Sequence, residues 1–209
     1  MYQSLKKFYK NKRVLITGNS GFKGAWITLM LNTLGAHVMG YSLSEISRPN
    51  MFKLLKLKNK IRYVNGDIRN FNKSKKQFDK FKPQIIIHLA AQSIVRLSYK
   101  KPLETFSTNI LGSANILEYA RNCSSLKSLI YVTSDKCYEN TENLRGYKET
   151  DRLGGSDPYS SSKAAAENLF SSYLKSYFIF KRFGASSVRS GNVIGGGDWS
   201  EDRIVPDII

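Results

Sequence analysis

RVLITGNSGFKGAW, residues 13–26, decides how the rest of the chain is read. Arg13-Val14-Leu15-Ile16-Thr17 is a compact apolar run of strand type, and TGNSGFKG (17–24) follows it as a glycine-rich TGxxGxxG turn. Apolar positions then recur at helical spacing from Ala25 through Leu34, with Ile27, Met30, Leu31 and Leu34 on one side and Gly35 as the stop. Glycines at 18, 21 and 24 let the backbone turn sharply and approach a diphosphate, and the helix N-terminus adds unpaired N–H groups and a positive dipole end. Turns use glycine for many reasons. The placement, strand before and helix after, is what points to a dinucleotide held by Gly18, Ser20, Gly21, Phe22 and Gly24.

Beyond this unit, strand-like runs alternate with longer helical ones. His37–Tyr41, Ile61–Val64, Gln84–His88 and Ser128–Thr133 read as buried strands, and a further strand followed by a glycine-rich loop is expected after Ser187. Phe71–Phe81 reads as a charged helix closed by Pro83, Leu103–Ala120 as a long helix, and Pro158–Tyr177 as another. Asp157 and Pro158 suit its N-cap and first turn. The polar stretch 139–157 is long enough to be a functional surface loop. The alternation predicts an α/β fold, a Rossmann-type doubly wound parallel sheet flanked by helices.

Composition narrows the classes further. The 209 residues are 41% apolar and 23% charged, the balance of an ordinary folded domain with a core. Mean hydropathy is negative, and no run of about 18 apolar residues predicts a membrane span. The opening MYQSLKKFYKNKR is basic without the apolar centre of a signal peptide, and Cys123 and Cys137 make no disulfide framework, so a reducing cytoplasm is expected. The net charge of +17 raises nucleic acid or a membrane surface as partners. The lysines are dispersed, through Lys53, Lys56, Lys58 and Lys60 to Lys73, Lys75, Lys76, Lys80 and Lys82, with no nucleic-acid motif beside them. Neither nucleic acid nor membrane is therefore expected, and a basic field equally suits a substrate that carries phosphates.

A second chemical signal is Tyr159-Ser160-Ser161-Ser162-Lys163. Residues four apart share a helix face, and an ammonium beside a phenol lowers its pKa so that it can take up a proton nearer neutrality. The spacing alone is common: Tyr2/Lys6 and Tyr177/Lys181 match it too. Only Tyr159/Lys163 begins a helix soon after a strand that ends in Thr133-Ser134-Asp135-Lys136, where open α/β sheets bind ligands. At the end of the second strand Ser42 stands where an acidic residue would anchor the adenosine ribose, and Glu45 is the nearest carboxylate, which leaves NAD and NADP both open.

GNSGFKGAW (18–26), GYSLS (40–44), GDIRN (66–70), HLAAQS (88–93), TSDKCYEN (133–140), LGGSDPYSSSK (153–163) and SVRSGNVIGGGDWSEDRIVPD (187–207) together resemble the extended short-chain dehydrogenase/reductases that act on nucleotide sugars. TSDKCY and GNVIGGGDW are the more specific of these, and resemble the 4,6-dehydratases whose substrate is CDP-glucose. The resemblance implies an NAD-dependent hydro-lyase of deoxysugar synthesis, such as O-antigen assembly requires, with NADP not excluded. It implies that Tyr159 takes the proton of the sugar 4-hydroxyl, Lys163 holds the cofactor ribose, Ser134 bonds the 4-oxygen, and Asp135 protonates the leaving 6-hydroxyl. Lys136 stands where relatives more often carry glutamate as the C5 base; it is assigned to the elimination with its exact role open. Asp67 and Ile68 are implied adenine contacts, Ala90, Ala91, Gln92, Asn109 and Thr133 line the cofactor, and Ser93, Asn192 and Arg203 meet the substrate. His88 is expected to be a hydrogen-bonded core residue and Cys137 a packing residue, with no metal site. Residues 1–187 would form the dinucleotide domain and 188–209 the beginning of a substrate-binding region, the rest being absent. Relatives pair as homodimers or homotetramers through the helices matching Leu103–Ala120 and Pro158–Tyr177. A 4-epimerase of the same family, or a cofactor-binding fragment without turnover, are the rival readings.

Overall fold

The computed structural model describes residues 1–44, 47–142, 144–202 and 204–208, so that Glu45 and Arg203 lie outside the described residues. Six parallel strands form one sheet: β1 Arg13–Thr17, β2 His37–Ser42, β3 Arg62–Asn65, β4 Ile85–His88, β5 Ser128–Val132 and β6 Gly184–Val188, in the order β3-β2-β1-β4-β5-β6. Chain order reverses between β1 and β4. Register places Thr17 between Tyr41 and His88, so the turn that follows β1 opens at that switch point.

Alternation within the strands explains their unbroken apolar runs. Leu15, Met39, Ile86, Leu129 and Tyr131 enter one core with Ile116, Leu117 and Phe170; Val14, Ile16, Val38, Ile85 and Ile87 enter the opposite one with Leu31. Both faces are covered, so neither face of the central strands can be polar. The helices are α1 Tyr2–Tyr9, α2 Phe22–Thr33, α3 Met51–Leu54, α4 Phe71–Phe81, α5 Val95–Lys100, α6 Pro102–Phe106, α7 Ser113–Asn122, α8 Pro158–Ser176 and α9 Ile204–Ile208. Among the described residues no helix is long and apolar enough to cross a membrane.

The expected fold class is the observed one, with three local corrections. Helix α2 starts at Phe22 rather than Ala25, because Gly21 serves as its N-cap and the last motif glycine lies inside the first turn. The long helix expected over Leu103–Ala120 is α6 and α7 joined by a wide π turn, Ser107–Gly112. One extra residue per turn breaks the 3.6-residue period locally, which apolar spacing does not register. Strand β6 spans Gly184–Val188, so it ends one residue past Ser187 instead of beginning after it. GASSV lies at the sheet edge with alternate residues exposed, so it carries almost no apolar signal. Helix α8 begins as expected, with the Asp157 carboxylate accepting from the Tyr159 and Ser160 amides at 2.9 and 3.0 Å.

Candidate active site

The glycine turn is fixed by contacts that only glycine allows. Gly18 has φ +75°, and a Cβ on it would stand 2.7 Å from the Ala90 nitrogen, so the turn lies directly against the end of β4. A Cβ on Gly24 would come 2.1 Å from the Gly18 carbonyl oxygen, which brings α2 onto its own preceding turn backbone to backbone. At Gly21 the situation reverses: a Cβ there would meet only the Gly18 oxygen, at 3.5 Å, and otherwise fill the open mouth of the turn. No side chain caps α2, so its first N–H groups face that space. The buried Ser20 hydroxyl donates to the Leu43 carbonyl at 3.0 Å, and Phe22 packs near Gly195. Open space, amide donors and a helix dipole fit a diphosphate.

Facing this turn, Tyr159 and Lys163 lie in the first turns of α8, each about 7% exposed, with the Lys163 ammonium 5.9 Å from the Tyr159 ring centre. No described residue accepts a hydrogen bond from that ammonium. Burial first, and then the charge of Lys23, push its pKa down to about 8. A buried ammonium without an acceptor fits a ligand hydroxyl, and with the glycine turn it completes the two ends of a dinucleotide site.

His88 closes β4 beneath them. Its Nδ1 is 2.7 Å from the Thr17 hydroxyl and its Nε2 3.0 Å from that of Ser113, so both ring nitrogens are engaged in the interior. Burial, with the Lys163 charge second, lowers its pKa to about 3. The folded chain keeps this ring neutral while the unfolded chain protonates it near the ordinary value, so acid favours unfolding over the window from about 6.5 down to 3. Between pH 7 and 5 the protein should lose about 2 kcal/mol of stability through this group alone. Urea unfolding at the two pH values checks this, and His88→Gln should flatten the difference; an equal loss in that variant would place its source elsewhere.

At the end of β5, Ser134 donates to the Asp135 carboxylate at 3.0 Å and accepts from the Lys136 amide at 3.3 Å. The Asp135 N–H donates to the Ser190 carbonyl at 3.1 Å, which binds this acid to the chain leaving β6. The Lys136 side chain is exposed. Cys137 packs on Ala164 with its thiol pushed up to about 11, mainly by burial, which makes it a packing residue rather than a nucleophile.

The remaining predicted residues fall into three groups. Asn109 is 1% exposed in the π turn and donates to the Gln92 carbonyl at 3.0 Å and the Ser162 hydroxyl at 2.9 Å, while accepting from the Gln92 amide at 2.8 Å. It thereby ties the Ala90-Ala91-Gln92 segment to α8 at Ser162, the residue before Lys163. Ala90 reaches the Thr17 hydroxyl through its amide at 3.4 Å, and the Gln92 side chain folds onto Ile94 and Thr105. Farther out, Asp67 is paired with Arg69 at 2.6 Å; burial raises its carboxyl, and the Arg69 hydrogen bonds more than reverse that. Ile68 is buried beside Gly112. Ser93 is half-buried before α5, and Asn192 is exposed on the loop beyond Ser190.

Three residues to which the sequence reading gave no role stand at this site: Lys23, Glu167 and Arg189. Glu167 is 3% exposed behind the end of β5 and accepts from Thr133, from Ser187 at 3.1 Å and from Arg189 at 2.9 Å. A glutamate four residues after Lys163, on the same helix face, was the available signal.

The sequence profile of the family described as GDP-mannose 4,6 dehydratase matches residues 15–195. The CDP-glucose 4,6-dehydratase of Salmonella typhimurium is 45% identical over 98% of this chain and 58% of its own length. The chain thus spans somewhat over half of that relative. Among solved structures, an epimerase from Methanothermobacter thermautotrophicus covers 99% of this chain and 60% of its own, with TM-score 0.83 and 25% identity. The UDP-glucose 4-epimerase of Thermus thermophilus, in complex with NAD, covers 85% of this chain and 54% of its own, with TM-score 0.72 and 28% identity.

Proposed function

The chain belongs to the GDP-mannose 4,6 dehydratase family, and from that membership we propose that it forms the dinucleotide-binding part of an NAD-dependent sugar-nucleotide 4,6-dehydratase acting on CDP-glucose. The observation that carries this reading is the buried Lys163 ammonium, without an acceptor of its own, beside Tyr159 and across from an uncapped glycine turn. Residues 1–187 are the dinucleotide domain and 188–209 begin the substrate region. Gly18, Ser20, Gly21, Phe22 and Gly24 hold the diphosphate, Asp67 and Ile68 the adenine, and Lys163 the ribose, with Ala90, Ala91, Gln92, Asn109 and Thr133 as the wall. Ser42 closes β2 with neither a charge to repel a 2′-phosphate nor a carboxylate to anchor a hydroxyl. The choice of NAD over NADP therefore rests on the NAD-bound Thermus relative.

NAD, held by the glycine turn and Lys163, would supply the hydride acceptor and donor that a redox-neutral 4,6-dehydration needs. Tyr159 removes the proton of the sugar 4-hydroxyl, and Ser134 donates to the 4-oxygen. With a pKa of about 8, Lys163 is still largely protonated at pH 7 and steadies the phenolate form of Tyr159 that takes up this proton. The new C4 ketone acidifies the C5 hydrogen; Asp135 gives a proton to the departing 6-hydroxyl, and Lys136 takes part in this elimination of water across C5 and C6. Ser93, Asn192 and Arg203 orient the sugar nucleotide.

The test is to incubate the complete natural protein with CDP-glucose and NAD and follow a 4-keto sugar that absorbs in base. Asp135→Asn and Lys136→Met should each slow its appearance about 100-fold. Oxidation at C4 should survive in both and be seen as absorbance of reduced cofactor. Parental rates in both variants would remove Asp135 and Lys136 from the elimination, and the C4 epimer as product would support a 4-epimerase instead.

A further inference from the structure

At the opposite end of the sheet, where the strands begin, charge gathers a second time. A groove of about 690 Å³ opens there, lined by Arg13, His37, Lys60, Arg62 and Lys80, with no carboxylate among the described residues of its wall. Register explains the gathering. Arg13 pairs with His37 and Arg62 with Met39, so all three share the face that carries Leu15, Met39 and Val64 into the core with Phe78. Each is the first residue of its strand, just outside the apolar layer, and Lys80 joins them from the end of α4. Arg13 is fixed in place: its Nε donates to the Lys82 carbonyl at 2.7 Å and its backbone amide to the Gln84 side chain at 3.1 Å. Arg69, Arg96, Arg121, Arg145, Arg152 and Arg189 each have a carboxylate partner. Among the described residues Arg13, Lys60, Arg62 and Lys80 have none. Asp79, next to Lys80 in sequence, is taken by Lys75 at 2.6 Å.

We propose that this groove is a binding site for a triphosphate chain, free or carried on a nucleoside, at the end of the sheet remote from Tyr159 and independent of the dinucleotide reading. Adjacent strands lie about 4.8 Å apart, so the backbones of Arg13 and Arg62, two strands apart, are separated by about 10 Å. Cations spread over that width suit a row of phosphates better than one compact anion. The two arginines bring planar forks that match phosphate oxygens, and the two lysines bring mobile point charges. Half-buried Phe81 adds an apolar wall on which a base can lie. A bound polyanion relieves the repulsion among these cations, so occupancy also stabilises the fold.

The experiment titrates the complete natural protein calorimetrically with sodium triphosphate and with ATP, at low and high salt, and repeats both titrations under saturating NAD. One equivalent should bind, stay bound when NAD is present, and weaken as salt screens the contact. The double variant Arg62→Gln, Lys80→Gln should raise Kd about tenfold or more. Both side chains are exposed, so the fold tolerates the change. The double variant Lys53→Gln, Lys73→Gln removes the same charge outside the groove and should stay within about twofold of the parent. ATP binding tighter than triphosphate assigns the Phe81 wall to the base; equal or weaker binding assigns the groove to the phosphate chain alone. No uptake, displacement by NAD, or parental affinity in Arg62→Gln, Lys80→Gln overturns the proposal. An equal loss in both double variants does so too, by marking a diffuse basic field. Tighter capture of a single-stranded oligonucleotide through the same two residues would give the groove to nucleic acid and overturn it as well. All these outcomes leave the dinucleotide site untouched, so the two readings fail separately.

Discussion

Tyr159→Phe is expected to slow formation of the 4-keto product about 1000-fold while dinucleotide affinity stays within a few-fold of the parent. The substitution deletes one oxygen and keeps the ring that fills a site only 7% exposed, so packing of the first turn of α8 is preserved. What is lost is the group proposed to take the 4-hydroxyl proton, and Lys163 is left beside a ring that cannot carry negative charge. Lys163 itself remains, so the ribose contact proposed for it persists. Turnover by the complete natural protein and an NAD titration measure the two effects separately. Tyr2→Phe and Tyr177→Phe provide the contrast: both tyrosines share the four-residue spacing to a lysine, but they are 53% and 40% exposed and lie outside the site. If Tyr159→Phe keeps more than a tenth of the rate, the phenol is not the base.

Arg189→Met should cost about 3–5 kcal/mol of stability, because it strands a carboxylate in the interior. Glu167 is 3% exposed, and Arg189, at 2.9 Å, is its cationic partner. Burial alone would push the Glu167 carboxyl up; hydrogen bonds from Arg189 and Thr133 bring it below its ordinary value instead. In the variant burial dominates, so protonation of Glu167 becomes favourable and the variant should recover part of its deficit as the pH is lowered toward 5. The melting temperature should fall by roughly 10 °C at neutral pH. Adding Glu167→Gln should restore part of it, since a neutral amide is cheaper to bury than an unpaired charge. A drop below about 2 °C in Arg189→Met would show that Thr133 and Ser187 suffice.

How much of this was legible in the sequence depends on the range of the interactions involved. The glycine turn could be read because strand, turn and helix are neighbours in the chain and every requirement on Gly18, Gly21 and Gly24 is local. The same holds for Asp157 and Pro158 at the start of α8, and for the central strands, whose apolar runs declare burial on both faces. Strand β6 was misplaced because an edge strand built of Gly, Ala and Ser has little apolar surface to periodise. The π turn escaped because Asn109 is turned inward by partners in Gln92 and Ser162, which lie 17 and 53 positions away. Lys23 and Arg189 were not singled out for the same reason: their partners, Ser190 and Glu167, are 167 and 22 residues distant, and a lysine in a chain with 33 basic residues draws no notice. Tyr159 and Lys163 were found through position relative to Ser134 rather than through spacing alone, which two other pairs share.

The contact of Gly24 with the Gly18 carbonyl has a further effect on any molecule received at the head of α2. Backbone resting on backbone leaves no side chain to rearrange and no slack through which the helix could slide, so the geometry of the amide donors is settled when the chain folds. An incoming ligand then meets a rigid receptor and need not freeze a loop on arrival, which favours tight association from few contacts.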